Sequence, residues 1–389
     1  MRRRLAVHVA VWVLGAGLVR IAVVPAEVCP AIDTAGVRHS VDEAADWLIR
    51  GLAPEGTYLY GYDRGIDEVN LGYNFARHSG VLMSLYQVHS ATGSPEALEA
   101  ADAGVAFAMG GLIEHDDWTA WSPGGDVPVG ANALLVAGLT IRREATGDES
   151  FDGVIRRIGR FLVSQQQPDG SIFAYWRPST GEAVPTFGPF ATGEASWALA
   201  KLGAAFPGEG FGEAAAATLD YLASVERSRI EGRIARLPDH WAAYTVSDLP
   251  SELLTEDRFA YARDLAGFFG VRLRFESQRR GDGINLAVRW FPGPPAGVGT
   301  AGEGLGALWR LSLREPRLAD LTAAMEERLV CTAGFMAKRQ VSAEDAGAAP
   351  RPSLQQGAWF YRGYTQMDDQ QHVIATMVAA LEVLERRSG

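Results

Sequence analysis

Thr192-Gly193-Glu194-Ala195-Ser196-Trp197-Ala198-Leu199 and, further along the chain, Ala301-Gly302-Glu303-Gly304-Leu305-Gly306-Ala307-Leu308 are two copies of one pattern. Each sets a carboxylate among small residues and places Ala-Leu four and five positions beyond it. Looser copies are Arg77-His78-Ser79-Gly80, Gly130-Ala131-Asn132-Ala133 and Asp368-Asp369-Gln370-Gln371-His372, with a weaker one at Asp257-Arg258. The marker positions near 78, 132, 194, 258, 303 and 369 lie about 45–66 residues apart. At ~1.5 Å of rise per residue and ordinary helix lengths, a helix pair with its loops takes about that much chain.

A second feature repeats between the markers. Gly56-Thr57-Tyr58-Leu59-Tyr60, Gly170-Ser171-Ile172-Phe173 and Gly357-Ala358-Trp359-Phe360-Tyr361 each place a glycine before a small residue and then bulky ones. Glycine permits a tight turn, and the bulky residues suit a short extended plug. Strand signals are sparse. Apolar periodicity predicts helices over 40–51, 75–91, 95–110, 130–146, 150–166, 191–205, 212–228, 257–278, 302–313, 316–339 and 368–387. Gly293-Pro294-Pro295 reads as a surface loop. Small residues let one helix of each pair crowd around an axis, with the polar marker facing the opening. The fold expected is all-α: an (α/α)6 toroid of about six helical hairpins with long rim loops, spanning 40–389. An open solenoid uses the same hairpin, but its units are shorter and more even.

Gln165-Gln166-Gln167-Pro168-Asp169-Gly170-Ser171, with Phe173 and Trp176, resembles the Gln-x-x-Asp-Gly-Ser turn of α/α toroid enzymes. That group includes terpene cyclases, prenyltransferases, glycosidases, uronate epimerases and polysaccharide lyases. The resemblance implies the fold far more than the reaction. Asn74-Phe75-Ala76-Arg77-His78-Ser79-Gly80 and Met367-Asp368-Asp369-Gln370-Gln371-His372 look like the Arg-His-x-Gly and Asp-x-x-Gln-His elements of uncharacterised bacterial toroids. An Asp-x-Asp-Asp acid and an Asp-Asp-x-x-Asp magnesium site are both absent, which argues against terpene cyclases. Cys331 has no neighbouring His in sequence, so no Cys-based zinc site and no cofactor are expected.

The chain of 389 residues is 47% hydrophobic, enough for a sizeable core, and carries a net charge of −11. Its basic residues are scattered, so a nucleic-acid surface is not expected. Residues 1–30 differ from the rest: Met1-Arg2-Arg3-Arg4, then an apolar run to Val19, broken by Arg20 and resumed to Val24. This reads as a secretory signal or an N-terminal membrane anchor, and predicts an extracytoplasmic location. Cys29 and Cys331 are the two cysteines. In an exported protein they could pair, and two buried free thiols are the alternative.

Three groups of residues could carry chemistry. Glu194 and Glu303, each read as lying just inside a helix start, form a carboxylate pair of the kind glycoside hydrolysis uses. Asn74, Arg77 and His78 could bind a substrate carboxylate and transfer a proton. Asp368, Asp369, Gln371 and His372 combine a carboxylate with a histidine four residues on, an acid–base arrangement. In a closed ring this last group approaches Arg77. Glu194, Glu303, His78, Asp368, Asp369 and His372 are therefore the catalytic candidates. Asn74, Arg77, Asn132, Trp176, His240, Trp241, Tyr361, Tyr364 and Gln371 are the substrate-binding candidates, since aromatic faces in a polar cleft suit sugar rings. Each also has a plain structural reading as a cap, a seam hydrogen bond or loop packing. The expected function is a carbohydrate-active enzyme: a glycan hydrolase, lyase or uronate epimerase acting on a glycan or other small molecule. A non-catalytic glycan- or partner-binding toroid and a terpenoid-cyclase-like enzyme are the alternatives.

Overall fold

The computed structural model describes residues 2–20, 24–231, 239–280, 285–287 and 290–389. An N-terminal helix, α1 (Arg2–Leu18), precedes the body. The body alternates outer and inner helices. The outer ones are α2 (Thr34–Arg50), α4 (Pro95–Met109), α6 (Asp152–Ser164), α8 (Phe211–Ala223), α10 (Glu256–Ser277) and α12 (Thr322–Arg339). The inner ones are α3 (Phe75–Thr92), α5 (Val129–Thr146), α7 (Ala191–Ala205), α9 (His240–Asp248), α11 (Pro295–Arg314) and α13 (Met367–Ser388). Each inner helix packs on the next, and α13 packs back on α3. The ring is closed, and the fold is the six-hairpin α/α toroid.

Local chemistry sets the helix ends. Asn74 caps α3 by accepting from the Arg77 amide at 3.0 Å, and Gly93, in the left-handed region at φ 78°, closes it. Ser94 then caps α4, with Pro95 in the first turn where its missing N–H costs nothing. The linkers from inner to outer helices are short. The linkers from outer to inner helices are long and gather at one rim, where the inner helices begin. Short strands join these loops. Gly61–Asp63 pairs with Glu68–Asn70 on one side and with Tyr364–Gln366 on the other, so the first and last rim loops share one sheet across the seam.

The glycine turns have a common purpose. Gly56, Gly170 and Gly357 have φ of 95°, 85° and 81°. A methyl group on them would lie 2.5 Å from Ala103 O, 2.4 Å from Ala217 O and 2.1 Å from Glu43 O. Each turn therefore docks on the backbone of the next outer helix around the ring. Within the inner ring, Gly299, Gly302 and Gly306 form a row on α11 that meets His372, Thr376 and Ala379 of α13. These spacings repeat on one helix face, and bare Cα positions let the two backbones close together.

Three boundaries differ from the sequence expectation. The fourth inner helix is α9, which begins at His240, whereas Asp257-Arg258 opens the outer helix α10. Nine residues, stopped at Leu249-Pro250, are too few for helical periodicity to stand out. Helix α11 begins at Pro295, with Pro294 at its cap, so Gly293-Pro294-Pro295 is a helix start. Glu303 therefore lies two turns inside α11, beyond the reach of its N-terminal dipole. Helix α2 begins at Thr34, capped by Asp33, ahead of the predicted residue 40.

Among the described residues, no helix is long and apolar enough to cross a membrane. The segment that follows α1 is strapped to the outer ring. Glu27 pairs with Arg274 at 2.7 Å and Arg328 at 2.5 Å, and the Val28 amide donates to Ser277 O at 2.8 Å. Cys29 and Cys331 form a disulfide, which resolves the alternative left open by the sequence.

The docked turn and an open one can be told apart. Gly170→Ala should destabilise by about 2–4 kcal/mol, the sum of left-handed strain and overpacking. Gly93→Ala, at φ 78° with nothing near its methyl position, should lose only about 1 kcal/mol. Urea unfolding of both variants measures the difference; equal losses would refute the docking role of the turn.

Candidate active site

The inner helices α9, α11 and α13 bring three side chains together on the ring axis. Glu303 is 1% exposed. Its Oε2 accepts from His372 Nδ1 at 2.7 Å, and its Oε1 accepts from the Tyr244 hydroxyl at 3.1 Å. His240 Nε2 lies 3.8 Å from the same Oε2 and makes no hydrogen bond although it is buried. The His240 and His372 rings meet edge to face, 5.2 Å between centroids. His372 Nε2 lies 3.6 Å from Asp368 Oδ1, and Asp368 Oδ1 is 3.4 Å from Arg77 Nε. Arg77 donates to the Tyr60 hydroxyl and, at 3.0 Å, to Gln366 Oε1. A chain of polar contacts thus runs from Tyr244 through Glu303, His372 and Asp368 to Arg77 at the rim. Its last link crosses the seam between α13 and α3.

The two histidines are biased in opposite directions. Burial opposes a charge on His372, but Glu303 and Asp368 outweigh it and raise its pKa to about 10. Burial dominates at His240 and lowers it to about 3. Near neutral pH one ring is a proton donor and its neighbour a bare acceptor. Burial, with Asp239 and Asp368 adding to it, raises Glu194 to about 8, so this carboxyl is largely protonated at neutral pH. Burial would raise Asp368, but His372 and Arg77 hold it below the usual carboxylate range. His240, Glu303 and His372 also have ligand atoms within 4.8 Å of one another, a donor set able to take a divalent cation. The 2.7 Å contact between Glu303 and His372 is a hydrogen-bond distance. Two ligands of a tetrahedral zinc ion at ~2.1 Å would stand further apart.

Several candidates lie elsewhere. His78 stands apart from the Glu303–His372 cluster. It turns toward α4, where Nδ1 meets the Tyr73 hydroxyl at 2.7 Å and Nε2 meets Gly104 O at 3.0 Å, both inside an aromatic cage. Asn132 does not line the opening, because its amide is spent on Trp121 N, Trp121 O and Pro128 O. Asp369 is a structural clamp: it accepts from Gln366 N at 3.2 Å, closing a capping box, and from Ala296 N at 3.0 Å. Burial raises its pKa to about 6. Gln371 fills the seam against Gly80. Trp176 packs on Trp118, and Trp241 stacks on Trp197. Asn74 is the cap of α3. Tyr361 and Tyr364 bridge each other at the rim, and Tyr364 Oη accepts from Asn70. Of the expected carboxylate pair, Glu303 has both oxygens engaged, by Tyr244 and His372.

Tyr244 and Gln366 were not among the site candidates. Tyr244 was legible in principle: His240 and Tyr244 are four apart, and the spacing places both on one helix face once α9 is recognised.

No family model matches this chain, and no curated protein matches it. Solved structures do. A cellobiose 2-epimerase from Spirochaeta thermophila has a TM-score of 0.63 at 14% identity, covering 92% of this chain and 98% of its own. An α-mannanase of glycoside hydrolase family 76 from Bacteroides thetaiotaomicron has a TM-score of 0.60 at 10% identity, covering 91% and 97%. A D-mannose isomerase has a TM-score of 0.59 at 12% identity, covering 90% and 97%. At such identities the likeness concerns the fold: this chain has the six-hairpin α/α toroid shared by sugar epimerase, isomerase and glycoside hydrolase structures.

Proposed function

We propose that the chain is a sugar-transforming enzyme that moves a proton at carbon, an epimerase or isomerase, with His240 and His372 as its base and acid. The observation that carries this reading is the pair of adjacent rings, one bare and one held by two carboxylates. His240 Nε2 removes the proton from the carbon beside the carbonyl of an open-chain sugar. The C–H electron pair moves into the carbonyl and gives an enediolate. His372 returns a proton to the opposite face of that carbon for epimerisation, or to the neighbouring carbon for isomerisation, in which case the proton of the adjacent hydroxyl passes to the former carbonyl oxygen. Glu303 keeps the His372 ring charged and fixed, and Arg77 supplies positive charge at the mouth. The similar epimerase and isomerase structures support sugar as the substrate class. Glycoside hydrolysis is the second reading, favoured by one observation: Glu194, raised to about 8, is a carboxylic acid able to protonate a leaving oxygen. The basic and apolar N-terminus, together with the disulfide, supports export or anchoring outside the cytoplasm.

Incubation with reducing mono- and disaccharides in D2O separates the two readings. Proton transfer at carbon predicts a new sugar isomer carrying one deuterium from solvent. It also predicts that His240→Asn and His372→Asn each lower turnover about 10²–10⁴-fold. Cleaved glycosides without carbon-bound deuterium, abolished by Glu194→Gln, would leave hydrolysis as the reading.

The resting protein offers a second measurement. Nitrogen-15 NMR of the imidazoles should find His240 neutral at pH 5 and His372 still protonated at pH 8. Stability follows the same signs. The stabilisation from His372 is complete below the unfolded value near 6.5 and fades as pH rises through about 10. His240 acts oppositely: below about 6.5 the unfolded chain binds the extra proton, so stability declines as pH falls toward about 3. Two rings that titrate together near 6.5 would refute the assignment.

A further inference from the structure

The outer helix α10 carries Phe268, Val271 and Phe275 at helical spacing on its outward face. Outer helices normally turn polar residues to solvent, yet Val271 is 70% exposed here. Beside them stands Trp290, 64% exposed, followed by the exposed Phe291. Arg279 ties this loop to the helix: it donates to Phe291 O and lies 5.1 Å over the Phe275 ring. Between helix and loop runs a trough of about 590 Å³, lined by the three apolar residues of α10 and by Trp290, with the charged Arg272, Glu276 and Arg279 among them.

Two further observations say what covers this face. The first is where the N-terminal segment leaves the body. Arg280 donates to Ala26 O, Glu27 pairs with Arg274, and the Val28 amide donates to Ser277 O. All three contacts lie at or just past the end of α10, within five residues of Phe275. The chain from Leu18 to Ala26 can extend at most ~3.3–3.6 Å per residue, so the C-terminal end of the apolar α1 lies within ~30 Å of Ala26. The second is composition. Phe and Trp flanked by arginines, with Arg272 on the same helix, are the side chains that settle at a membrane interface, where rings enter the acyl boundary and guanidiniums meet phosphates. The same face adjoins the site. Gly297 and Val298 of the trough belong to the first turn of α11, whose Gly299 packs on His372 and whose Ala296 amide holds Asp369.

We propose that the face formed by Phe268, Val271, Phe275, Trp290 and Phe291 docks on a lipid bilayer alongside the N-terminal apolar segment, and sets the rim of the toroid at the membrane surface. This rests on the reading of residues 1–30 as a membrane-directed segment. The dual contact has a physical basis: one marginal apolar anchor binds reversibly, and a second apolar contact makes attachment stable.

The test uses the full chain with phosphatidylcholine–phosphatidylglycerol vesicles that carry a diazirine-bearing acyl chain. Photo-crosslinks are mapped by mass spectrometry. Docking predicts lipid adducts within 268–275 and on 290–291 as well as within 2–18. Val271→Asp with Trp290→Ser should reduce the former several-fold and leave the latter. Both positions are exposed, and an unchanged urea midpoint confirms the fold of the variant. Adducts on the ridge without any on 2–18 support the face and overturn the anchor. Adducts confined to 2–18 overturn the face and keep the anchor, and no adducts in either region overturn both.

Discussion

Six helices close around one axis only if their backbones come near each other where they touch. In this chain one such contact is the glycine row Gly299, Gly302 and Gly306 against α13. It does more than close the ring. Glu303 follows Gly302 directly, so the register that seats the row also delivers the Glu303 carboxylate to His372. Packing and candidate chemistry therefore share one interface. A side chain added to the row would separate the helices and lengthen the contact between Glu303 and His372.

A carboxylate this deeply buried costs several kcal/mol unless its oxygens are matched. Glu303 meets the requirement with one neutral donor and one charged one, Tyr244 and His372. Tyr244 packs against both Trp197 and Trp241, with ring centroids 4.4 Å and 6.1 Å away. The aromatic stack reads as ordinary core packing, yet it fixes a hydroxyl at the foot of the polar chain. His240 is the exception in this region, a buried ring with an unspent nitrogen. A structure that tolerates such a group beside a fully matched one keeps it for a ligand, or bears its desolvation without return.

The sequence made the ring legible because its two signals are local. Small residues with a single polar marker, and glycine turns that admit only a left-handed backbone, can be read within a few positions. The contact from Arg77 to Asp368 was also within reach, since closure alone makes the first and last inner helices neighbours. The joining of Glu303 to His372 was not. It depends on how far α11 extends before residue 303, and two prolines hid that helix start. Helix α9 was hidden for a different reason: its residues are aromatic and few. His78 shows the opposite error. It follows Arg77 and shares its polarity, but one residue turns a helix by about 100°, enough to send the ring outward to Gly104.

The Cys29–Cys331 bond has a mechanical meaning. It spans 302 residues, so helices α2 to α11 lie inside one covalent loop. Tension entering through the N-terminal segment passes across that bond into α12 and does not run along the loop. The Glu27 pairs with Arg274 and Arg328 share the load at the same point. A toroid hung by its leading segment would therefore be pulled by its outer wall, while His240 and Glu303 lie on chain that the force bypasses.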